Sequence, residues 1–106
     1  MILVIGGAFS GRRAFAEENF PDRDILDGTE EKVREALRNK TLETLTEEFS
    51  NADSAVVIMD ELGCGITPLD ASDRLFRDLY GALGISLAKE AESVYRLFSG
   101  IGSRIK

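Results

Sequence analysis

A five-residue apolar run that leads directly into a glycine-rich segment constrains this chain more than any other feature of its sequence. Residues Met1 to Ile5 read MILVI, the pattern of a strand that is buried on both faces of a parallel sheet. The segment GGAFSGRR follows from Gly6 to Arg13, and RRAFAEENF then predicts a short helix that ends before Pro21. A strand, a glycine-rich turn and a helix in this order form a βα unit that is suited to binding phosphate.

The glycine-rich segment matches part of the Walker A pattern, G-x-x-x-x-G-K-[S/T], in which Gly6 and Gly11 hold the two glycine positions. Arg12 stands at the lysine position, so the positive charge is kept, and Arg13 stands at the position of the hydroxyl that binds magnesium. Taken alone, these residues favour a purely structural turn over nucleotide binding. If a nucleotide binds here, its candidate contacts are Gly6, Gly7, Ala8, Phe9, Ser10, Gly11, Arg12 and Arg13.

A second buried strand is predicted over Ser54 to Met59, with the sequence SAVVIM, and two acidic residues follow it directly. An acid at the end of such a strand can orient magnesium in the manner of a Walker B segment. Asp60 is therefore a candidate metal ligand and Glu61 a candidate cofactor-binding residue. The alternative is that both acids only flank a buried strand. In the following LGCGITP loop, we interpret Cys64 as a bystander thiol.

The rest of the chain predicts further alternation of strands and helices. We expect a short strand over residues 23–26, amphipathic helices over 30–38 and 42–49, and a last strand over 93–100. Asp27 and Glu30 resemble a capping box at a helix start. The sequence thus predicts one α/β domain over residues 1–106, with three or four parallel strands that form a small sheet flanked by helices.

A long helix is predicted to begin at Asp70 as its N-cap, and Gly81 and Gly84 are expected to mark a break or a close contact within it. Its buried stripe is predicted to comprise Leu75, Phe76, Leu79, Tyr80, Leu83, Leu87, Ala91 and Val94.

Composition excludes several functions. The chain has 106 residues, a formal net charge of −6, no histidine and one cysteine. Because nucleic-acid binding needs clustered Lys and Arg, we expect no nucleic-acid partner. The lack of histidine excludes imidazole metal ligands and histidine general bases, and one cysteine cannot form an internal disulfide. No apolar run approaches the roughly 20 residues that span a bilayer, so we expect no membrane partner and a cytoplasmic location.

Two longer segments repeat the pattern of a known family. Residues 2–17 read ILVIGGAFSGRRAFAE, and Asp60 to Lys106 read DELGCGITPLDASDRLFRDLYGALGISLAKEAESVYRLFSGIGSRIK. These segments resemble GGxRSGKSxFAE and NEVGxGIVPxxxxxRxFRDxxGxxNQxLAxxADxVxxxxxGxPxxxK of the bifunctional adenosylcobinamide kinase / adenosylcobinamide-phosphate guanylyltransferases of cobalamin biosynthesis. The similar parts, residues 1–18 and 54–106, imply a P-loop NTPase-like fold, GTP or ATP with magnesium as cofactors, a nucleotide or corrinoid small molecule as partner, and a homo-oligomer.

The chain departs from that family in its middle and at several site positions. Family members are longer and carry, in a region that is mostly missing here, a histidine that accepts the guanylyl group. The loop lysine and hydroxyl are replaced by Arg12 and Arg13, and the family's NQ pair is Gly84–Ile85. The resemblance therefore implies a shortened, degenerate member that binds a nucleotide or corrinoid without the full two-step activity, and no catalytic residue is assigned. The alternative is a non-catalytic scaffold or interaction subunit that forms oligomers.

Overall fold

Within the described part of the chain, the predicted first strand lies at the centre of a sheet of five strands. The computed structural model describes residues 1–7, 10–28, 30–61 and 71–106. Along the chain the strands are β1 (Ile2–Gly6), β2 (Ile25–Gly28), β3 (Val56–Asp60), β4 (Ser93–Phe98) and β5 (Ile101–Arg104). The helices are α1 (Arg12–Asn19), α2 (Glu30–Ala36), α3 (Leu42–Ser50) and α4 (Ala71–Glu90).

The strand order β2-β3-β1-β4-β5 brings three strand ends together at one edge of the sheet. β1 runs parallel to both β3 and β4, so that Gly6 is level with Asp60 on one side and with Leu97 on the other. β2 is parallel to β3, and β5 is antiparallel to β4. The predicted α/β fold with a small, mostly parallel sheet and flanking helices is confirmed. The glycine-rich segment therefore leaves β1 between the residues that follow β3 and those that follow β4.

Helices cover both faces of the sheet because its central strands are apolar on both. One buried cluster joins α2, α3 and α4 to the sheet and includes Leu3, Val57 and Leu83; we call this side the α4 face. The other cluster joins α1 to the sheet and includes Val4 and Ala16; we call this side the α1 face. Successive residues of a strand alternate between the two faces. Among the described residues, no helix is both long and apolar enough to cross a membrane.

Three details of the predicted helices are wrong. Asp27 lies inside β2, where it cannot cap a helix. α4 continues through Gly81 and Gly84, so neither glycine marks a break. A β-carbon on Gly84 would lie 4.0 Å from Met59 Cε, which is an ordinary van der Waals contact and not a close one. Leu75 is 61% exposed and does not belong to the buried stripe of α4, because that stripe follows the one helix face that meets the sheet. The predicted N-cap at residue 70 lies outside the described residues.

The sequence predicts one last strand over residues 93–100, and the structure has a hairpin of two strands over residues 93–104, β4 and β5. After β4 the chain reverses at Ser99 and Gly100, whose φ angles of 49° and 77° are both positive. Two consecutive positive φ angles are typical of the type I′ turn that joins twisted antiparallel strands. Val94, which we expected to extend the helical stripe, is instead buried on β4. The short β5 was missed because its sequence, IGSR, lacks an apolar alternation.

Candidate functional site

Backbone hydrogen bonds and a left-handed glycine shape the glycine-rich segment. The Ser10 N–H donates to the Gly7 carbonyl at 3.2 Å, and the Glu61 N–H donates to the Gly6 carbonyl at 2.9 Å. Gly11 has φ 86° and ψ 22°, and α1 begins at the next residue. Ala8 and Phe9, which were also predicted to contact a nucleotide, lie outside the described residues. The described part of the segment thus brings Ser10 next to Gly7 and leads into a helix N-terminus.

Both glycines of the sequence pattern are required by this geometry. A β-carbon on Gly6 would lie 2.6 Å from Ser10 Oγ and 3.0 Å from the Leu97 carbonyl oxygen. The positive φ of Gly11 is unfavourable for any residue with a β-carbon, and such an atom would lie 3.2 Å from Gly100 Cα. The glycine spacing therefore allows Ser10 to fold back over the end of β1.

Arg12, at the lysine position of the pattern, reaches the end of β3. Its Nη1 lies 2.5 Å from Asp60 Oδ1, and the two side chains are only 15% and 20% exposed. The strand register explains the contact, because Asp60 is level with Gly6 and α1 begins just beyond the loop. When an ion pair is largely withdrawn from water, removing one of its partners destabilises the fold, because the other charge is left without a partner. Asp60, the candidate magnesium ligand, therefore already holds a cation, the guanidinium of Arg12.

The second oxygen of Asp60 caps a helix. Asp60 Oδ2 accepts a hydrogen bond of 3.0 Å from the N–H of Glu30, the first residue of α2. A carboxylate at this position satisfies an otherwise unpaired helical N–H group and interacts favourably with the helix dipole. The acidic cap that the sequence predicted at Asp27 is thus supplied by the end of β3 instead.

Tyr80 supports this strand end from α4, a role that sequence reasoning missed. Its hydroxyl accepts a hydrogen bond from the Asp60 N–H at 2.8 Å and donates one to the Gly28 carbonyl at 2.7 Å. Tyr80 is 2% exposed, and this burial raises the pKa of its hydroxyl well above the ordinary value. A tyrosine at a buried position of an apolar stripe was the available signal, because its hydroxyl must find a partner there.

Arg13 and Glu61, both predicted to contact a cofactor, make ion pairs in different places. Arg13 Nε lies 3.3 Å from Glu17 Oε1 on the exposed side of α1, so its side chain points away from the loop. Glu61 accepts hydrogen bonds from Arg96 Nη2 at 2.7 Å and from Arg96 Nε at 3.3 Å. Because Glu61 follows β3 and Arg96 lies on β4, their pair passes across the end of β1. The structure therefore brings Arg12, Asp60 and Glu61 to one edge of the sheet.

The residues at this edge do not fit a magnesium ion. Magnesium prefers carboxylate and hydroxyl oxygens. Both oxygens of Asp60 accept hydrogen bonds, one from the Arg12 guanidinium, and Arg13 replaces the hydroxyl of a working loop. In the part of the chain that the structure describes, no three acidic, cysteine or histidine side chains come together around a common point. A metal would have to displace a guanidinium from its carboxylate.

The same edge does fit an anion. Among the described residues, no side chain caps the N-terminus of α1, so helical N–H groups and the positive end of the dipole face the loop. Ser10 Oγ is buried and has no hydrogen-bond partner among the described residues. Arg12 carries five N–H donors, more than its pair with Asp60 uses. These donors are the kind that phosphate oxygens accept.

Comparison with known proteins agrees with the resemblance seen in the sequence. The family described as cobinamide kinase / cobinamide phosphate guanyltransferase matches residues 23–105. The chain is also 41% identical over 51 residues to proteins named "Bifunctional adenosylcobalamin biosynthesis protein CobU" from Salmonella typhimurium and Escherichia coli. The aligned segment is 48% of this chain and 28% of each relative, so the chain spans less than a third of their length.

The range of the family match differs from the one that the sequence motifs suggested. It includes residues 23–53, where we expected the chain to depart from the family, and it does not include residues 1–22. The glycine-rich loop therefore lies outside the matched range. Its interpretation depends on its own geometry and on its place beside the end of β3.

Proposed function

This chain belongs to the cobinamide kinase / cobinamide phosphate guanyltransferase family, and from that premise we propose that its loop binds the phosphates of GTP or ATP without the full two-step activity. The relatives carry names that refer to adenosylcobalamin biosynthesis. We place this chain in the same process, in the cytoplasm, with a corrinoid intermediate as a second small-molecule partner. The chemistry of both partners rests on the relatives, and the mode of binding rests on the residues of the loop.

The Arg12–Asp60 ion pair is the observation that carries this proposal. In a working P-loop a lysine contacts the terminal phosphates, while a hydroxyl and an acid position magnesium. Here the residue at the lysine position contacts the acid itself, at 2.5 Å. The loop therefore keeps its donors for phosphate, whereas its metal position is filled by a guanidinium. Binding that is independent of magnesium follows from this arrangement.

Transfer of a nucleotidyl group to the protein is not part of the proposal. The resemblance implies that the guanylyl group is accepted by a histidine, and this chain contains none. Phosphoryl transfer depends strongly on the metal ion that neutralises the charge developing on the phosphates. Without a fitting metal position, the residues at this edge can hold and orient phosphate groups, which is the role we assign to them.

Calorimetric titration with GTP and ATP, each with and without magnesium, tests the proposal. We expect micromolar binding whose affinity does not change when magnesium is added. Arg12→Gln should weaken it about tenfold or more, because charge-assisted hydrogen bonds to phosphate are lost. Arg13→Gln is the matched control, since it removes the same charge from the neighbouring residue, whose side chain faces away from the loop.

No binding at millimolar nucleotide, or equal affinities of the two arginine variants, would contradict the proposal. Circular dichroism of both variants is needed beside the titrations, because Arg12→Gln leaves Asp60 without its ion-pair partner. A variant that is folded and still binds as tightly as the unsubstituted chain excludes Arg12 as a phosphate ligand.

A non-catalytic subunit that assembles with copies of itself or with a longer homologue is the second candidate function. The exposed apolar side chains of Leu75 and Ile85 on α4, 61% and 63% exposed, are the observation that favours it. Sedimentation velocity of the unsubstituted chain and of Ile85→Ser distinguishes this candidate. A stable oligomer that dissociates in the variant would support it, and a monomer at all concentrations would exclude self-assembly.

A further inference from the structure

The β4–β5 hairpin is attached to the glycine-rich loop. The N–H of Gly100, at the turn of the hairpin, donates a hydrogen bond of 2.8 Å to the Ser10 carbonyl. Gly11 and Gly100 approach so closely that a β-carbon on Gly11 would lie 3.2 Å from Gly100 Cα. The hairpin turn is thus held against the residues immediately before the N-terminus of α1. Any ligand in the loop lies beside this hairpin.

The hairpin presents two large apolar side chains to solvent at this place. Phe98 is 78% exposed and Ile101 is 69% exposed, and the two residues form a cross-strand pair. Cross-strand partners share one face of a sheet. Leu97 packs on the α1 face, so Phe98 and Ile101 lie on the opposite one. Because Leu97 is level with Gly6, Phe98 stands one residue beyond the end of β1, at the same edge as the loop.

We propose that Phe98, supported by Ile101, is the platform on which the purine base of the bound nucleotide lies. This inference rests on the proposed function, because it requires phosphates in the loop. An exposed aromatic ring binds a base by stacking, and stacking tolerates different bases because every base has a π face. The loop holds the charged end of such a ligand, and the hairpin holds its flat, apolar end.

A base fits this patch better than another protein does. A stable protein interface buries roughly 800 Å² on each partner, which two side chains at a hairpin tip cannot supply alone. The hydrogen bond between Gly100 and Ser10 instead holds the turn that joins Phe98 to Ile101 next to the anion site. A nucleotide has the matching shape, since its flat base and its phosphates lie a few bonds apart.

Separate titrations with a nucleotide and with tripolyphosphate test this inference. Phe98→Ala should weaken GTP or ATP binding roughly five- to 150-fold, the range expected for one lost stacking contact. It should leave the affinity for tripolyphosphate unchanged, because that ligand has no base. Leu75→Ala is the matched control, since it removes an apolar side chain of similar exposure from α4.

A fluorescence experiment provides a second measurement that does not depend on affinity. The chain has no tryptophan, so Phe98→Trp introduces a single reporter at the platform. Its emission should change when GTP is added and should stay constant when tripolyphosphate is added.

The outcomes distinguish this inference from the proposed function. If the unsubstituted chain binds neither ligand, the proposed function and the platform both fail. If it binds both, and Phe98→Ala changes nothing or weakens both equally, the platform fails while phosphate binding at the loop stands. If Phe98→Ala dissociates an oligomer without changing nucleotide affinity, the patch is an interface between copies and the inference is wrong.

Discussion

Replacing Tyr80 by phenylalanine removes one oxygen atom that joins three elements of this fold. The hydroxyl accepts a hydrogen bond from the Asp60 N–H and donates one to the Gly28 carbonyl. Phenylalanine fills nearly the same volume, so the packing of α4 against the sheet is kept. The change therefore isolates the two hydrogen bonds and leaves an N–H group and a carbonyl group without their partner.

The expected loss of folding stability follows from the burial of this N–H group and this carbonyl group. A buried polar group that loses its partner costs about 1–3 kcal/mol, and two such groups give a loss of roughly 2–4 kcal/mol if one of them partly relaxes. A domain of this size is stable by only ~5–15 kcal/mol. At about 4 °C per kcal/mol, we expect the melting temperature to fall by roughly 8–16 °C.

The pH dependence provides a second signature of the same group. Burial raises the pKa of the Tyr80 hydroxyl above its value in the unfolded chain, which is near 10. The unfolded state therefore loses this proton first, and the stability that the protonated hydroxyl contributes is fully present below pH 10. Above pH 10 that contribution falls by up to about 1.4 kcal/mol per pH unit. The stability of Tyr80→Phe should not show this part of the decrease above pH 10.

Urea unfolding of both proteins at pH 7 and between pH 9 and 11 measures both effects. Tyr95→Phe is the control, because Tyr95 packs against Phe15 and Phe20 and its hydroxyl makes no hydrogen bond with the described residues. It should change stability by much less. If Tyr80→Phe is as stable as Tyr95→Phe at pH 7, and both lose stability equally above pH 10, the buried hydroxyl does not hold the strand ends.

Three further predictions concern the chemistry of the site and the packing beneath it. Incubation with labelled GTP and magnesium should leave no label on the protein after denaturing electrophoresis, because the chain has no histidine to carry the guanylyl group. An acid-labile labelled adduct would contradict this prediction. Arg12→Lys combined with Arg13→Ser should make nucleotide binding magnesium-dependent, and calorimetry should show binding that is roughly five- to 150-fold tighter. Unchanged affinity would show that magnesium-dependent binding needs more than these two residues. Gly102→Ala should lower the melting temperature, since its β-carbon would lie 2.3 Å from Phe15 Cε2, and an unchanged melting temperature would show that the ring moves aside freely.

The sequence could predict the βα unit and its neighbouring strand because their signals are local. Continuous apolar runs define β1 and β3, and the glycine spacing defines the loop between β1 and α1. Membership of the family was also predictable, since it depends on residue patterns. The antiparallel β5 was not predictable in the same way, because a four-residue edge strand with exposed residues carries no burial pattern.

The contacts that decide the chemistry of the site could not be read from local patterns. Arg12 and Asp60 are 48 positions apart, and only the parallel register of β1 with β3 brings them together. The local pattern predicts Asp27 as the cap of α2 because that residue is close in the sequence, whereas Asp60 supplies the cap across 30 positions. Such pairings depend on strand order, which local sequence patterns do not reveal.

Asp60→Asn tests the central claim most directly, because the two possible roles of Asp60 predict changes of opposite sign. If Asp60 holds Arg12 and repels phosphate, removing its charge frees the guanidinium, while the amide oxygen can still accept the hydrogen bond from the Glu30 N–H. We therefore predict that calorimetric titration of the folded variant shows tighter GTP binding, by the same factor with and without magnesium. Weaker binding that appears only when magnesium is present would show that Asp60 is a metal ligand, and would contradict a magnesium-independent phosphate site.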